Sequence, residues 1–251
     1  MHARPLVLAL LLLTGCAAFL SAPAPMATLH YPAATHKPAR CLLVLLPGRG
    51  DHADDFARHG LIAAVQQRHL AVDLVAADAT IGYYAKRTLF ERLQTDVLAP
   101  ARQRGYEQVW LAGASMGGLG ALLMAKKDHG IHGVLLLGPF LGDEDVVAEV
   151  AAAGGVRTWT PRQPLDPDDY QRDLWRWLQG MTQNQETAPE LYLGYGEDDR
   201  FVAAHRLLAA ALPPGQVLRA PGGHDWPTWA QLFARFLDLP PFVKACGPIS
   251  P

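Results

Sequence analysis

The chain has 251 residues, of which 50% are hydrophobic and 18% charged, with a formal net charge of −2. That length and apolar share suit one α/β domain with a substantial core and exclude a disordered chain. The near-neutral balance, with no basic stripe or Lys/Arg cluster, excludes an electrostatic nucleic-acid binder, and no internal repeat points to an array.

His2 and Arg4 give a short basic start, and Leu6 to Leu13 form an almost unbroken apolar run. About eight to ten apolar residues are too few for a hydrocarbon core, which takes about twenty, and suit the apolar region of an export signal. The run ends in Leu13-Thr14-Gly15-Cys16, which resembles the lipobox of bacterial lipoproteins. The resemblance implies a signal peptide over 1–15, cleavage before Cys16 and lipids on that cysteine, giving an anchor to a membrane rather than a span. Ala17, standing where the enterobacterial scheme uses Asp for inner-membrane retention, implies the periplasmic side of the outer membrane. The alternative is a conventionally secreted or periplasmic protein, although Ala22-Pro23-Ala24 is followed by Pro25, a poor residue after a cleavage point. Residues 16–39, rich in Ala and Pro without a period, read as a tether.

From about residue 40 to 241 short apolar runs alternate with longer amphipathic ones. The predicted strands are Cys41–Leu46, Ala71–Ala76, Val109–Ala112, Gly133–Leu137, Leu191–Tyr195 and Gln216–Ala220. Their continuous apolar character suits burial on both faces, as in a parallel sheet. Between them, Asp54–Gln67 places Phe56, Leu61, Ile62 and Val65 on one side, and Thr88–Arg102 does so with Leu89, Leu93, Val97 and Leu98. Gly117–Lys127, Val202–Leu212 and Pro227–Leu237 continue the pattern, which right-handed crossovers wind into a mostly parallel, doubly wound sheet with helices on both faces. An insertion over about 140–187 breaks the rhythm. It holds predicted helices at Asp143–Ala153 and Asp168–Gln179, the second with a large face of Tyr170, Leu174, Trp175, Trp177 and Leu178. That face is either core or a small helical cap over a site. Cys41 opens the first strand and Cys246 lies in a tail, 242–251; an oxidising compartment would permit their disulfide, and the sequence leaves a pair or two thiols open.

Chemistry concentrates at Gly113-Ala114-Ser115-Met116-Gly117, between a buried strand and a helix that begins with small residues. Glycines flanking a serine at such a junction form the pattern of a nucleophile elbow, where a tight turn holds the hydroxyl above the sheet. The helix N-terminus beneath it favours negative charge. A serine hydroxyl needs a general base, and the base an orienting acid. Of the ten histidines, His224 stands out in Ala220-Pro221-Gly222-Gly223-His224-Asp225-Trp226, while His52, His59, His69 and His129 fall on surface helices or turns. The acid is sought in Gly194-Tyr195-Gly196-Glu197-Asp198-Asp199, where Asp198 and Asp199 compete and Glu197 faces solvent. Two backbone N–H groups must converge on the developing oxyanion. Met116 follows the serine, and Arg49 sits between Gly48 and Gly50 in Leu46-Pro47-Gly48-Arg49-Gly50-Asp51, glycines that let the amide turn inward. The Arg49 side chain is free to meet solvent or an acidic substrate group. No metal-ligand spacing or phosphate loop is found, so neither metal nor organic cofactor is expected.

The order Ser115, Asp199, His224, on loops that follow strands, resembles the α/β-hydrolase superfamily over roughly residues 40–240. Asp199 is preferred to Asp198 because it stands three residues after Gly196 with apolar Val202 beyond, as the acid usually does in such serine hydrolases. Ser115-Met116-Gly117-Gly118-Leu119-Gly120-Ala121-Leu122 and Gly222-Gly223-His224-Asp225-Trp226 are similar to the esterase D type of carboxylesterase, which includes S-formylglutathione hydrolases. Leu46–Asp51 resembles the phospholipase/carboxylesterase group, with Pro47-Gly48 where those proteins usually have His-Gly. The resemblance implies an α/β-hydrolase fold and a serine esterase acting on small-molecule carboxylic esters or thioesters. Acyl transfer to a sugar, lipid or alcohol uses the same triad and would be favoured by a dry cap made from Tyr170, Trp175 and Trp177. A non-catalytic binding lipoprotein of the envelope is the remaining alternative, against which the intact Ser, Asp and His speak.

Overall fold

A computed structural model describes residues 20–35, 39–183 and 189–247; Cys16 and the signal-like run lie outside them. Seven strands, β1 (Thr28–Tyr31), β2 (Cys41–Leu46), β3 (Val72–Ala77), β4 (Gln108–Ala114), β5 (Gly133–Leu137), β6 (Glu190–Gly196) and β7 (Val217–Ala220), form one sheet. Its order is β1-β3-β2-β4-β5-β6-β7, with β1 antiparallel to β3 and every other pairing parallel. All six predicted strands are present. In β2, Leu42, Val44 and Leu46 enter one core while Cys41, Leu43 and Leu45 enter the other, which is why this strand reads as apolar without alternation.

The helices are α1 (Asp55–Arg58), α2 (Leu61–Gln67), α3 (Ile81–Ala85), α4 (Leu89–Leu93), α5 (Ala99–Arg104), α6 (Met116–Lys127), α7 (Glu144–Ala152), α8 (Tyr170–Gln183), α9 (Val202–Ala211), α10 (Trp226–Leu237) and α11 (Pro240–Cys246). Apolar residues of α1, α2, α10 and α11 fill the core on one face of the sheet; those of α3 to α9 fill the other. The helix predicted over 54–67 is divided at Gly60, whose φ of +81° belongs to the left-handed region glycine tolerates. The one predicted over 88–102 widens into a π turn at Gln94–Leu98, just ahead of Pro100 in the first turn of α5. Proline has no N–H and its ring crowds the preceding turn's carbonyl, so the regular ladder cannot run through.

Two boundaries differ from the sequence expectation. The stretch read as a tether is part of the body over residues 20–35. Met26 is buried and its N–H donates to Asp96 Oδ2 at 2.7 Å, and the Tyr83 hydroxyl donates to the Pro23 carbonyl at 2.8 Å. Beyond it β1 completes the sheet edge, and the Ala33 N–H reaches Asp73 Oδ1 at 2.8 Å. Composition alone hid this because short half-exposed edge strands carry little apolar signal. The expected tail holds α11, whose Phe242 is buried against Trp110 with ring centroids 5.2 Å apart. The aromatic face of the insertion is core, not a lid: Leu174, Trp175 and Leu178 are fully buried with the strands' side chains, while Tyr170 is exposed.

Cys41 and Cys246 form a disulfide with Cα atoms 5.5 Å apart, joining the start of β2 to the end of α11 across 205 residues of sequence. Restraining so long a loop in the unfolded chain is worth about 2–5 kcal/mol. Replacing both cysteines by alanine is expected to lower the thermal midpoint by roughly 5–15 °C. Circular dichroism melts of the two proteins under non-reducing conditions measure it, and equal midpoints would refute a stabilising role.

Candidate active site

The chain leaves β2 toward β3 on one side of the sheet and β4 toward β5 on the other, so the carboxyl ends of these neighbours open into a crevice. Leu46, the last residue of β2, is paired with Gly113. The loops after the two strands are the ones that carry Arg49 and Ser115.

Ser115 has φ 50° and ψ −113°, a strained conformation for a residue with a side chain, between the end of β4 and the start of α6. The flanking glycines make it possible. A Cβ on Gly113 would stand 2.1 Å from the Gly117 carbonyl oxygen, and one on Gly117 2.0 Å from that of Leu46. The Ser115 N–H donates to the Leu137 carbonyl at 2.9 Å, and its own carbonyl accepts from Phe140 N–H at 3.0 Å. Strand β5 and its loop thus brace the elbow.

The turn after β6 and the turn after β7 meet backbone to backbone. A Cβ on Gly196 would lie 2.3 Å from the Gly222 carbonyl oxygen, and the Asp198 N–H donates to that same carbonyl at 3.0 Å. This contact brings Asp199 to His224. His224 Nε2 lies 2.8 Å from Ser115 Oγ, and His224 Nδ1 lies 2.9 Å from Asp199 Oδ2. The second Asp199 oxygen accepts from Phe201 N–H at 2.8 Å. Asp199 is 1% exposed, whereas Asp198 and Glu197 face solvent. Burial alone would raise the Asp199 carboxyl, but the His224 and Phe201 hydrogen bonds, with the positive charges that His205 and His224 can carry, hold it below the ordinary carboxylate range. His224 is gripped edge-on by Phe201 and Trp229, each with ring centroids 5.0 Å away.

A Cβ on Gly48 would stand 3.5 Å from Ser115 Cβ, so the loop after β2 lies against the serine. Among the described residues, neither the Arg49 N–H nor the Met116 N–H donates to an internal acceptor. Arg49 is exposed and makes no ion pair among those residues. His52, His59, His69 and His129 are all exposed, as their positions suggested. Among the described residues no cluster of His, Cys, Asp or Glu is suited to a metal ion, and no helix is long and apolar enough to cross a membrane.

Sequence reasoning missed the support of the site. Gly138, at φ +52°, passes behind the triad: a Cβ there would lie 2.7 Å from Asp199 Oδ2, 2.8 Å from Trp229 Nε1 and 3.3 Å from His224 Nδ1. The signal was a Gly-Pro pair ending a buried strand. His205 is fully buried on α9, and its Nε2 donates to the Pro139 carbonyl at 2.8 Å, while no partner for its Nδ1 lies among the described residues. That bond fastens the helix following the acid to the loop bracing the serine. Its position one turn before Leu208 on the apolar side of the helix was legible; its purpose was not.

No protein-family model and no curated protein matches the chain. Solved structures do share its architecture. An S-formylglutathione hydrolase of Staphylococcus aureus is 16% identical, with 84% of this chain and 94% of that one covered and a TM-score of 0.56. A fluorophosphonate-binding serine hydrolase of the same species is 14% identical over 85% of this chain and 98% of its own, with a TM-score of 0.58. A monoacylglycerol lipase of Paleococcus ferrophilus is 18% identical over 88% and 99%, with a TM-score of 0.54. The architecture they share with this chain is the α/β-hydrolase fold.

The buried histidine gives the fold a measurable acid sensitivity. Burial is the largest influence on His205 and lowers its pKa, a direction that the His224 charge reinforces and that Asp199 and the Pro139 carbonyl oppose. The folded protein therefore refuses a proton that the unfolded chain accepts below about pH 6.5, so this stability is complete above that value and is lost as pH falls through the folded pKa. Asp199, with its depressed pKa, adds a second loss as pH falls from the ordinary carboxylate range down through its folded pKa. The thermal midpoint is expected to fall between pH 7 and pH 5.5, and His205→Gln, which keeps a donor for the Pro139 carbonyl, to flatten that slope. An unchanged slope in the variant would show that His205 is not its source.

Proposed function

We propose that the chain is a serine hydrolase that cleaves small-molecule carboxylic esters or thioesters. The observation that carries this reading is the unbroken hydrogen-bonded series from Ser115 Oγ through His224 to buried Asp199. Ser115 Oγ attacks the acyl carbon while His224 Nε2 takes its proton, and Asp199 holds the imidazole by Nδ1–H and stabilises the imidazolium. The Arg49 and Met116 N–H groups receive the tetrahedral oxyanion; each such donor is worth about 3–4 kcal/mol. The alcohol or thiol leaves with the proton from His224, and a water activated by the same histidine releases the acid and restores Ser115. The solved structures named above are consistent with this chemistry, and the burial of Trp175 in the core gives the hydrolase reading more support than a transferase with a dry cap.

A fluorophosphonate probe is expected to leave one adduct on wild-type protein, located by intact mass and peptide mapping on Ser115 and absent from Ser115→Ala. Asp199→Asn should depress turnover of a nitrophenyl ester by up to about 10⁴-fold, whereas Arg49→Ala, which keeps the backbone donor, should stay within about threefold of wild type. An adduct elsewhere, or none, would sink the assignment.

We further propose that the protein works in the bacterial cell envelope, anchored on the periplasmic side of the outer membrane by lipids on Cys16. The lipobox-like Leu13-Thr14-Gly15-Cys16 supports this, as does a disulfide suited to an oxidising compartment. A cut after Ala24 would instead remove Pro23, whose carbonyl accepts from the Tyr83 hydroxyl. Mass spectrometry of the mature protein is expected to find Cys16 first and carrying acyl chains; a mature chain beginning at Pro25 would refute the anchor.

A further inference from the structure

Asp51 is a carboxylate next to the nucleophile that the mechanism does not use. It lies three residues after Gly48 on the loop that offers the Arg49 amide, and a Cβ on Gly48 would meet Asp51 Oδ2 at 2.6 Å on one side and Ser115 Cβ at 3.5 Å on another. A side chain at 48 would collide with Oδ2, so glycine there leaves room for the Asp51 carboxylate beside the loop that faces Ser115. Its other oxygen is tied down. Trp226 Nε1 donates to Asp51 Oδ1 at 3.3 Å, and Trp226 is itself held by His59 stacked on it at 4.7 Å and by Phe56 edge-on at 5.3 Å. Oδ2 receives no hydrogen bond from any described residue. Burial raises the Asp51 carboxyl, with Asp55 reinforcing the shift and the Trp226 hydrogen bond and two nearby histidines opposing it. Oδ2 is not enclosed, so a donor on a bound molecule can reach it.

We propose that Asp51 is a specificity-determining residue whose Oδ2 accepts a hydrogen bond from a free hydroxyl on the alcohol part of the substrate, so that the preferred substrates are polyol esters. This rests on the hydrolase reading above. With the acyl oxygen between the Arg49 and Met116 amides, the leaving oxygen must face His224 Nε2 to receive its proton. Asp51 is fastened to Trp226, two residues beyond His224, and so borders the alcohol side. A neutral hydroxyl suits the position better than a cation, because exposed Arg49 sets a positive charge on the same loop.

The test compares kcat/KM for glyceryl monobutyrate, butyl butyrate and butyrylcholine, three esters with one acyl group, in wild type, Asp51→Leu and Asp51→Asn. Wild type is expected to favour the glyceryl ester over the butyl ester by about tenfold or more, and Asp51→Leu to lose most of that ratio while keeping butyl ester turnover within about threefold. A glyceryl-to-butyl ratio that Asp51→Leu leaves unchanged, or a wild-type preference for butyrylcholine over both, overturns the inference. Should Asp51→Leu fail to fold by circular dichroism, the isosteric Asp51→Asn reads the same ratio, with a drop of about threefold expected and no change overturning it. The fluorophosphonate adduct separates the two levels. Wild type without an adduct on Ser115 overturns the hydrolase reading and this inference together, whereas an adduct with an unchanged ratio overturns this one alone.

Discussion

The structure depends on the approach of bare backbone to bare backbone at the carboxyl edge of the sheet. The Leu46 carbonyl sits where a Gly117 side chain would be, the Gly117 carbonyl where one on Gly113 would be, and the Gly222 carbonyl where one on Gly196 would be. None of these contacts contributes much attraction. Each excludes Cβ atoms, and by doing so sets the distance between loops that carry different parts of the site. The strain stored at Ser115 persists because the strands and loops around it are close-packed and cannot relax.

How much of this the sequence disclosed follows from how local each signal is. Strands buried on both faces announce themselves as apolar runs, and all six were legible. The elbow was too, because its two glycines and serine act within five residues. Asp199 over Asp198 could be read only through the resemblance, in which the acid usually stands three residues after such a glycine. What stayed hidden was long-range. Gly138 matters only because Asp199, Trp229 and His224 converge behind it, and His205 only because Pro139 comes within reach from another strand's loop. The disulfide was left open for the same reason: 205 residues of spacing carry no information about whether two ends meet. The large aromatic face of α8 has a period identical for a core helix and a lid, and only its partners distinguish them.

The site also shows how two histidines on one fold come to differ. His224 lies between Phe201 and Trp229 with a nucleophile on one nitrogen and a carboxylate on the other. His205 is enclosed, spends its one N–H on a carbonyl and has no further hydrogen-bond partner among the described residues. One environment suits proton transfer, the other suits a fixed brace.

Strand β1 has a significance apart from the site. It is four residues long, runs against the parallel grain of the sheet and covers the outer edge of β3. The opposite edge ends in β7, also four residues, so neither margin offers a long row of unpaired backbone groups. If the chain were shortened to begin at Cys41, the apolar stretch Leu74–Ala77 that β1 pairs would become an open edge. Beyond joining the body to what precedes it, β1 therefore keeps the outer edge of β3 paired.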